Sequence, residues 1–104
     1  MNAHVSFSAP LFDLGTIYQT EGAAAVLPPD RIPVVLSVHV SGDFGVSCEE
    51  DKQTNRLAIS NGGRIMSAYP IDPDKPSAGY GENTIWIITE RDRSVTTILL
   101  PSEY

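Results

Sequence analysis

The sequence has one cysteine, two histidines and no long apolar run. A lone Cys48 makes no internal disulfide and cannot found a cysteine zinc site. His4 and His39 are too few for a histidine-rich metal centre, and no cofactor is expected. No stretch approaches the ~20 apolar residues of a bilayer-spanning helix. The start, MNAHVSFSAP, lacks the basic and apolar segments of a secretory signal. These absences point to the cytoplasm, with no membrane contact.

A basic excess is missing too. Residues 1–54 hold seven acids against two bases, and residues 55–104 six against five, for a net charge of -6. Such a field repels phosphate, so sequence-specific DNA binding is not expected, although a compact RNA site remains open in the near-neutral second half. The chain carries no phosphate-cradling loop with its lysine, no HExxH, no paired CxxC and no GxSxG. Asp72 and Asp74 in IDPDK resemble a piece of a calcium loop, without its other ligands or closing glutamate.

What is present fits one globular domain. The length of 104 residues suits a single core, and 41% hydrophobic with 19% charged residues suits a folded chain. Residues 1–10 read as a flexible tail and residues 11–104 as the domain. The spacing predicts a short strand over Leu14 to Gln19, then a short helix capped by Thr20 and stopped by Pro28 and Pro29. Asp30 and Pro33 mark a second helix start. Leu36, Val38 and Val40 alternate as in a strand, but the capping signals favour a helix ending at Gly42. Ser47 and Glu50 form a capping box for a third helix, stopped at Asn61-Gly62-Gly63. Strands follow over Arg64 to Tyr69, Thr84 to Thr89 and Ser94 to Leu100, the last two joined as a hairpin by Glu90 to Arg93. Residues 71–83 read as a long loop of the kind that is often functional or mobile. The expected fold is α+β, with N-terminal helices packed on a three- to four-stranded antiparallel meander.

His39 is the leading candidate for chemistry. Four residues before Asp43 on a helix, it would meet that carboxylate, which would orient the ring and hold its pKa near or above neutral. The competing reading is a helix-terminal histidine that satisfies carbonyls. The Glu90–Arg93 knot is the second candidate. Arg91 and Arg93 flank Asp92 there, and Thr96 and Thr97 follow on opposite strand faces, beside Tyr69 on a neighbouring strand. Alternating charge at a turn is equally ordinary solubility chemistry. Catalytic candidates are thus His39, Arg93, Thr96 and Thr97, and binding candidates Asp43, Phe44, Tyr69, Arg91 and Asp92.

The stretches HVSGDFG, GGRIMSAY and IWIITERDRSVTTILLPSEY resemble a recurring family of small bacterial proteins of plasmids and integrated mobile elements, over roughly Leu14 to Tyr104. The resemblance implies bacterial origin and helices before His39. Relatives carry Trp at the position of Phe44, Arg at Val38 and Pro at Glu21, so the arginine beside His39 is missing here. Three functions follow as expectations. The first is a binding or regulatory accessory protein of a mobile element, working through contacts with a protein partner. The second is a metal-independent ribonuclease or toxin-like domain resembling the barnase/colicin type. There His39 would move protons, Arg93 or Arg91 would supply the cation, and Thr96 or Thr97 would hold the phosphate. The third is an inert structural subunit of a larger complex.

Overall fold

The computed structural model describes residues 10–104, so the expected tail lies, apart from Pro10, outside the described residues. In chain order the elements are β1 (Thr16–Gln19), α1 (Glu21–Val26), α2 (Arg31–Val40), α3 (Glu49–Asn61), β2 (Ile65–Pro70), β3 (Thr84–Thr89) and β4 (Val95–Leu99), with a closing 3-10 turn at Pro101–Glu103. The four strands form one sheet in the order β1-β4-β3-β2.

The expected meander holds for β2, β3 and β4, which pair antiparallel. It fails at β1, which runs parallel to β4, so the sheet is mixed. The direction of β1 is fixed at both ends by contacts about 80 residues away in sequence. At its start, Gly15 has φ +66, and a Cβ there would lie 2.2 Å from the Ser94 carbonyl oxygen. Only glycine combines that left-handed backbone with so close an approach. At its end, the Thr20 N–H donates to the Ile98 carbonyl at 3.0 Å and its hydroxyl to Glu103 at 2.5 Å. Local periodicity records none of these partners.

Helix signals fare better. Thr20 caps α1 by accepting from the Ala23 N–H at 3.2 Å. The run from Val34 to Val40 is helical as read, and Gly42 at φ +86 turns the chain after it. Asp30 precedes α2, but its side chain makes no capping bond. The Ser47–Glu50 capping box does not form. Ser47 instead donates to the Phe44 carbonyl at 2.9 Å, and Cys48 occupies the cap position without a side-chain bond. The turn before the helix has claimed the serine, while Glu49, Glu50 and Asp51 still face the positive helix end. Gly62, left-handed at φ 80, closes α3.

Register places Ile65, Ser67 and Tyr69 of β2 on one face with Ile85, Ile87 and Thr89 of β3 and Thr96 and Ile98 of β4. Helices α1 and α2 bury Ala23, Leu27, Val35 and Leu36 against this inner face. A second cluster joins Phe12, Phe44, Ala58 and Ile65 where α3 meets β2. Residues 71–83 cross to β3 as a pinned loop. The Asn83 side chain donates to the carbonyls of Asp72, Lys75 and Pro76 at 3.1, 3.1 and 3.2 Å, and accepts from the Asp72 N–H at 2.8 Å.

The two sheet edges differ. On β2 the outward groups of Met66 are taken by Asn55, whose Nδ2 donates to the Met66 carbonyl at 2.6 Å and whose Oδ1 accepts from its N–H at 3.0 Å. Those of Ala68 are taken by the backbone of Phe44 and Val46 at 3.2 and 2.8 Å. That edge is sealed. On β1 all four residues are exposed. Asn55→Ala should therefore strip one buried edge pair of its partners and cost about 1–3 kcal/mol. Urea denaturation at pH 7 measures the loss, and the Met66 amide should lose protection in hydrogen exchange.

Candidate functional site

His39 lies on the inward side of α2 and is fully buried. Its Nδ1 is 2.5 Å from Ser67 Oγ on β2, and its Nε2 is 2.9 Å from Thr89 Oγ1 on β3. Thr89 Oγ1 lies 2.8 Å from Thr96 Oγ1 on β4, and the Thr96 hydroxyl donates to the Leu14 carbonyl at 2.7 Å. Proton bookkeeping fixes every direction in this chain. Thr96 spends its proton on a carbonyl, which can only accept, so the Thr89 hydroxyl donates to Thr96. The Thr89 oxygen then accepts from His39 Nε2–H, and Nδ1 accepts from Ser67. The ring is therefore the neutral Nε2–H tautomer, and the chain runs one way from β2 to the segment entering β1.

The expected pairing of His39 with Asp43 is not made. The Asp43 carboxylate turns to the Gly45 N–H at 3.0 Å, closing its own loop. With no carboxylate beside it, the imidazole responds to burial, which lowers its pKa from 6.5 to about 4, and the Arg93 guanidinium adds to the fall. This reverses the near-neutral value expected from the sequence. The edge of Phe12 packs on the ring, with centroids 5.1 Å apart.

Arg93, the cation proposed for a phosphate, reaches the same neighbourhood from the hairpin, its guanidinium 5.6 Å from the Phe12 ring centre. Three of its five N–H donors bond backbone: those to the Ala58 and Gly63 carbonyls, at 2.9 and 2.6 Å, close the negative end of α3, and one to the Glu90 carbonyl, at 3.2 Å, spans the hairpin turn. Arg93 also holds φ 59, a left-handed conformation costing roughly 1 kcal/mol for a non-glycine residue, which these bonds offset.

Three of the four catalytic candidates therefore converge: His39, Arg93 and Thr96. Thr97 projects to the opposite face, half-buried. His39 and Thr96 meet inside the core, with both imidazole nitrogens engaged, while Arg93 is only half-buried. Phe44 is a core residue at 1% exposure, and the Tyr69 hydroxyl donates to the Asp43 carbonyl at 2.5 Å. Burial holds that hydroxyl above its ordinary pKa, so it remains a donor. Arg91 and Asp92 are exposed at the hairpin tip, where the Ser94 hydroxyl and N–H hold the Asp92 carboxyl below its ordinary value. Among the described residues no helix is long and apolar enough to cross a membrane, and no group of three or more His, Cys, Asp or Glu is placed to hold a metal ion.

The surface features lie elsewhere. The Thr16 N–H donates to Ser94 at 2.9 Å and the Thr20 N–H to Ile98 at 3.0 Å. In a parallel ladder this alternation turns the N–H and C=O of Ile17 and Gln19 away from β4, to a side where no described residue bonds them. Beside this edge an open groove of about 640 Å³ is lined by Phe12, Leu14, Ile17 and Val40, with Asp13 and Arg93 at its margins. Sequence reasoning placed a strand over Leu14 to Gln19 but did not single out its exposed side. Its uncharged TIYQ, without proline or lysine, was the available signal, because protected edge strands usually carry such residues.

The chain matches no protein-family model, no curated protein and no solved structure.

The buried imidazole gives a pH dependence of definite sign. Between pH 4 and 6.5 the unfolded chain binds a proton at His39 that the folded chain does not. Stability from this group is fully present above pH 6.5 and is lost as pH falls toward 4, by about 3 kcal/mol in all. Urea unfolding of wild type and His39→Gln across that range should show the slope in the first and its loss in the second. Nitrogen NMR of the ring at pH 7 should report the Nε2–H tautomer.

Proposed function

We propose that this chain is a protein-binding module that takes an extended segment of a partner as a fifth strand on β1, in keeping with the role of a binding or regulatory accessory protein of a bacterial mobile element. The observation that carries this reading is the difference between the two sheet edges. One is sealed residue by residue, and the other presents main-chain groups that no described residue bonds, beside a largely apolar groove. Strand addition uses such an edge for affinity and the adjoining hollows, which receive alternate side chains, for specificity.

Register defines the contact. An incoming strand bonds the N–H and C=O of Ile17 and Gln19. The side chain of Ile17, aligned with Thr96, lies on the inner face and leads into the groove, whereas Tyr18, aligned with Thr97, lies on the outer face. The partner's apolar residues accordingly fall on the inner side at alternate positions. A ribonuclease acting through His39, Arg93 and Thr96 would need the core to open around the imidazole, since a general acid or base must reach its substrate.

Selection of binders from an unbiased peptide library tests the proposal. Ile17→Pro and Gln19→Pro each remove one outward N–H and leave the β4 ladder intact. Binding of the selected peptides should fall at least about tenfold in both variants, the scale of one or two lost main-chain bonds. Circular dichroism should stay unchanged. Tyr18→Pro, which removes an inward N–H, should instead destabilise the fold. Peptides that bind both outward variants as tightly as wild type would exclude this edge as the site.

A further inference from the structure

Among the described residues, the outer face of the sheet presents Met66, Ala68, Trp86 and Ile88, opposite the face that α1 and α2 cover. Over β2 and β3 it is bordered by the first turns of α3, by residues 78–80 and by Tyr104, which enclose two adjoining hollows. The smaller, about 170 Å³, is lined by Thr54, Asn55, Arg64 and Tyr104. The larger, about 390 Å³, is lined by Cys48, Ala68, Gly79, Tyr80 and Trp86. Asp51 and Met66 line both, so the hollows form one cleft with a carboxylate at the join.

The smaller hollow already shows what this face accommodates. The Arg64 guanidinium sits 5.2 Å from the centre of the Tyr104 ring and donates to its hydroxyl at 2.9 Å, with Glu90 at 3.8 Å. Tyr104 in turn packs edge-on against Trp86, centroids 5.4 Å apart. A basic side chain thus rests on an aromatic ring beside a carboxylate. The larger hollow repeats those ingredients: the Trp86 and Tyr80 rings, the Met66 thioether and the Asp51 carboxylate. It is preorganised. The Trp86 indole N–H is fixed to the Gly79 carbonyl at 2.8 Å, and Gly79, at φ +90, lets that loop lie against the Val46 carbonyl. Charge is complementary as well: Glu49 is paired with Arg56 at 3.2 Å, but Glu50 and Asp51 outweigh the half-charge of the α3 end, and the chain totals -6.

The geometry points to a recognition pocket for an arginine side chain, presented by a partner segment and held between the Trp86 and Tyr80 rings with its guanidinium at Asp51. A planar guanidinium stacks on aromatic faces and bonds a carboxylate at the same time, which a hydrated ammonium does less well. The pocket lies on the face opposite the groove beside β1, so it stands independently of strand addition there.

The test uses the whole chain and a defined probe, N-acetyl-arginine amide, with the citrulline analogue as its neutral counterpart. Amide and indole NMR shifts of Trp86, Tyr80, Asp51 and Met66 should move together with the arginine probe and not with citrulline. Asp51→Asn and Tyr80→Ala, both at exposed positions, should each weaken the response, Asp51→Asn by about tenfold, while the remaining spectrum stays unchanged. Ile17→Pro should leave it intact. Equal shifts with citrulline would overturn the inference, as would shifts confined to Glu49 and Glu50 or a response indifferent to Asp51→Asn.

Discussion

A buried imidazole can remain in a core only if both of its nitrogens are satisfied without a charge. Here that condition is met by hydroxyls on two strands, and their own needs are met by a third strand and by one carbonyl in the segment entering the fourth. Each hydrogen bond determines the direction of the next. Helix α2 is thereby tied to β2 and β3, and through Thr89 and Thr96 to β4 and Leu14. Apolar packing of Val35, Leu36, Ile85 and Ile87 supplies most of the driving force, but it is tolerant of small slips. The polar chain is not, because one misplaced hydroxyl leaves a buried group unpartnered.

The same arrangement explains why His39 and Thr96, which look catalytic, are closed to solvent. Histidine, arginine and threonine near one another satisfy the interior of this protein. Arg93 finishes a helix, Thr96 holds a strand entrance, and His39 bridges a helix to a sheet. The features outside the core are peripheral: main-chain groups along β1, and rings with one carboxylate on the outer face.

Much of the fold could be read from the sequence, because its signals are local. The Thr20 cap, the Gly62 stop, the β3–β4 hairpin and the opposite faces of Thr96 and Thr97 follow from residue type and spacing. The parallel course of β1 could not be read, since Gly15, Thr20 and Leu14 find their partners some 80 positions away. Ser47 misled because the preceding turn and the helix compete for one hydroxyl, and the turn wins. His39 was singled out from the sequence for a carboxylate neighbour that it does not have. Asp43 lies four residues away in sequence, yet the ring faces the sheet while the carboxylate folds back on its own loop. The Trp86 cleft was hidden because it assembles α3, two strands, a loop and the last residue.

The parallel β1–β4 pair has a mechanical consequence. These are the first and last strands, and they run in the same direction, so tension applied between the two ends of the chain draws them past each other lengthwise. The bonds from Thr16 to Ser94 and from Thr20 to Ile98 then bear the load together instead of opening one at a time, as a hairpin pulled from its open end would. The Thr20–Glu103 clasp lies in the same line of force. The joint that leaves one side of β1 without a described partner strand is also the one that resists stretching.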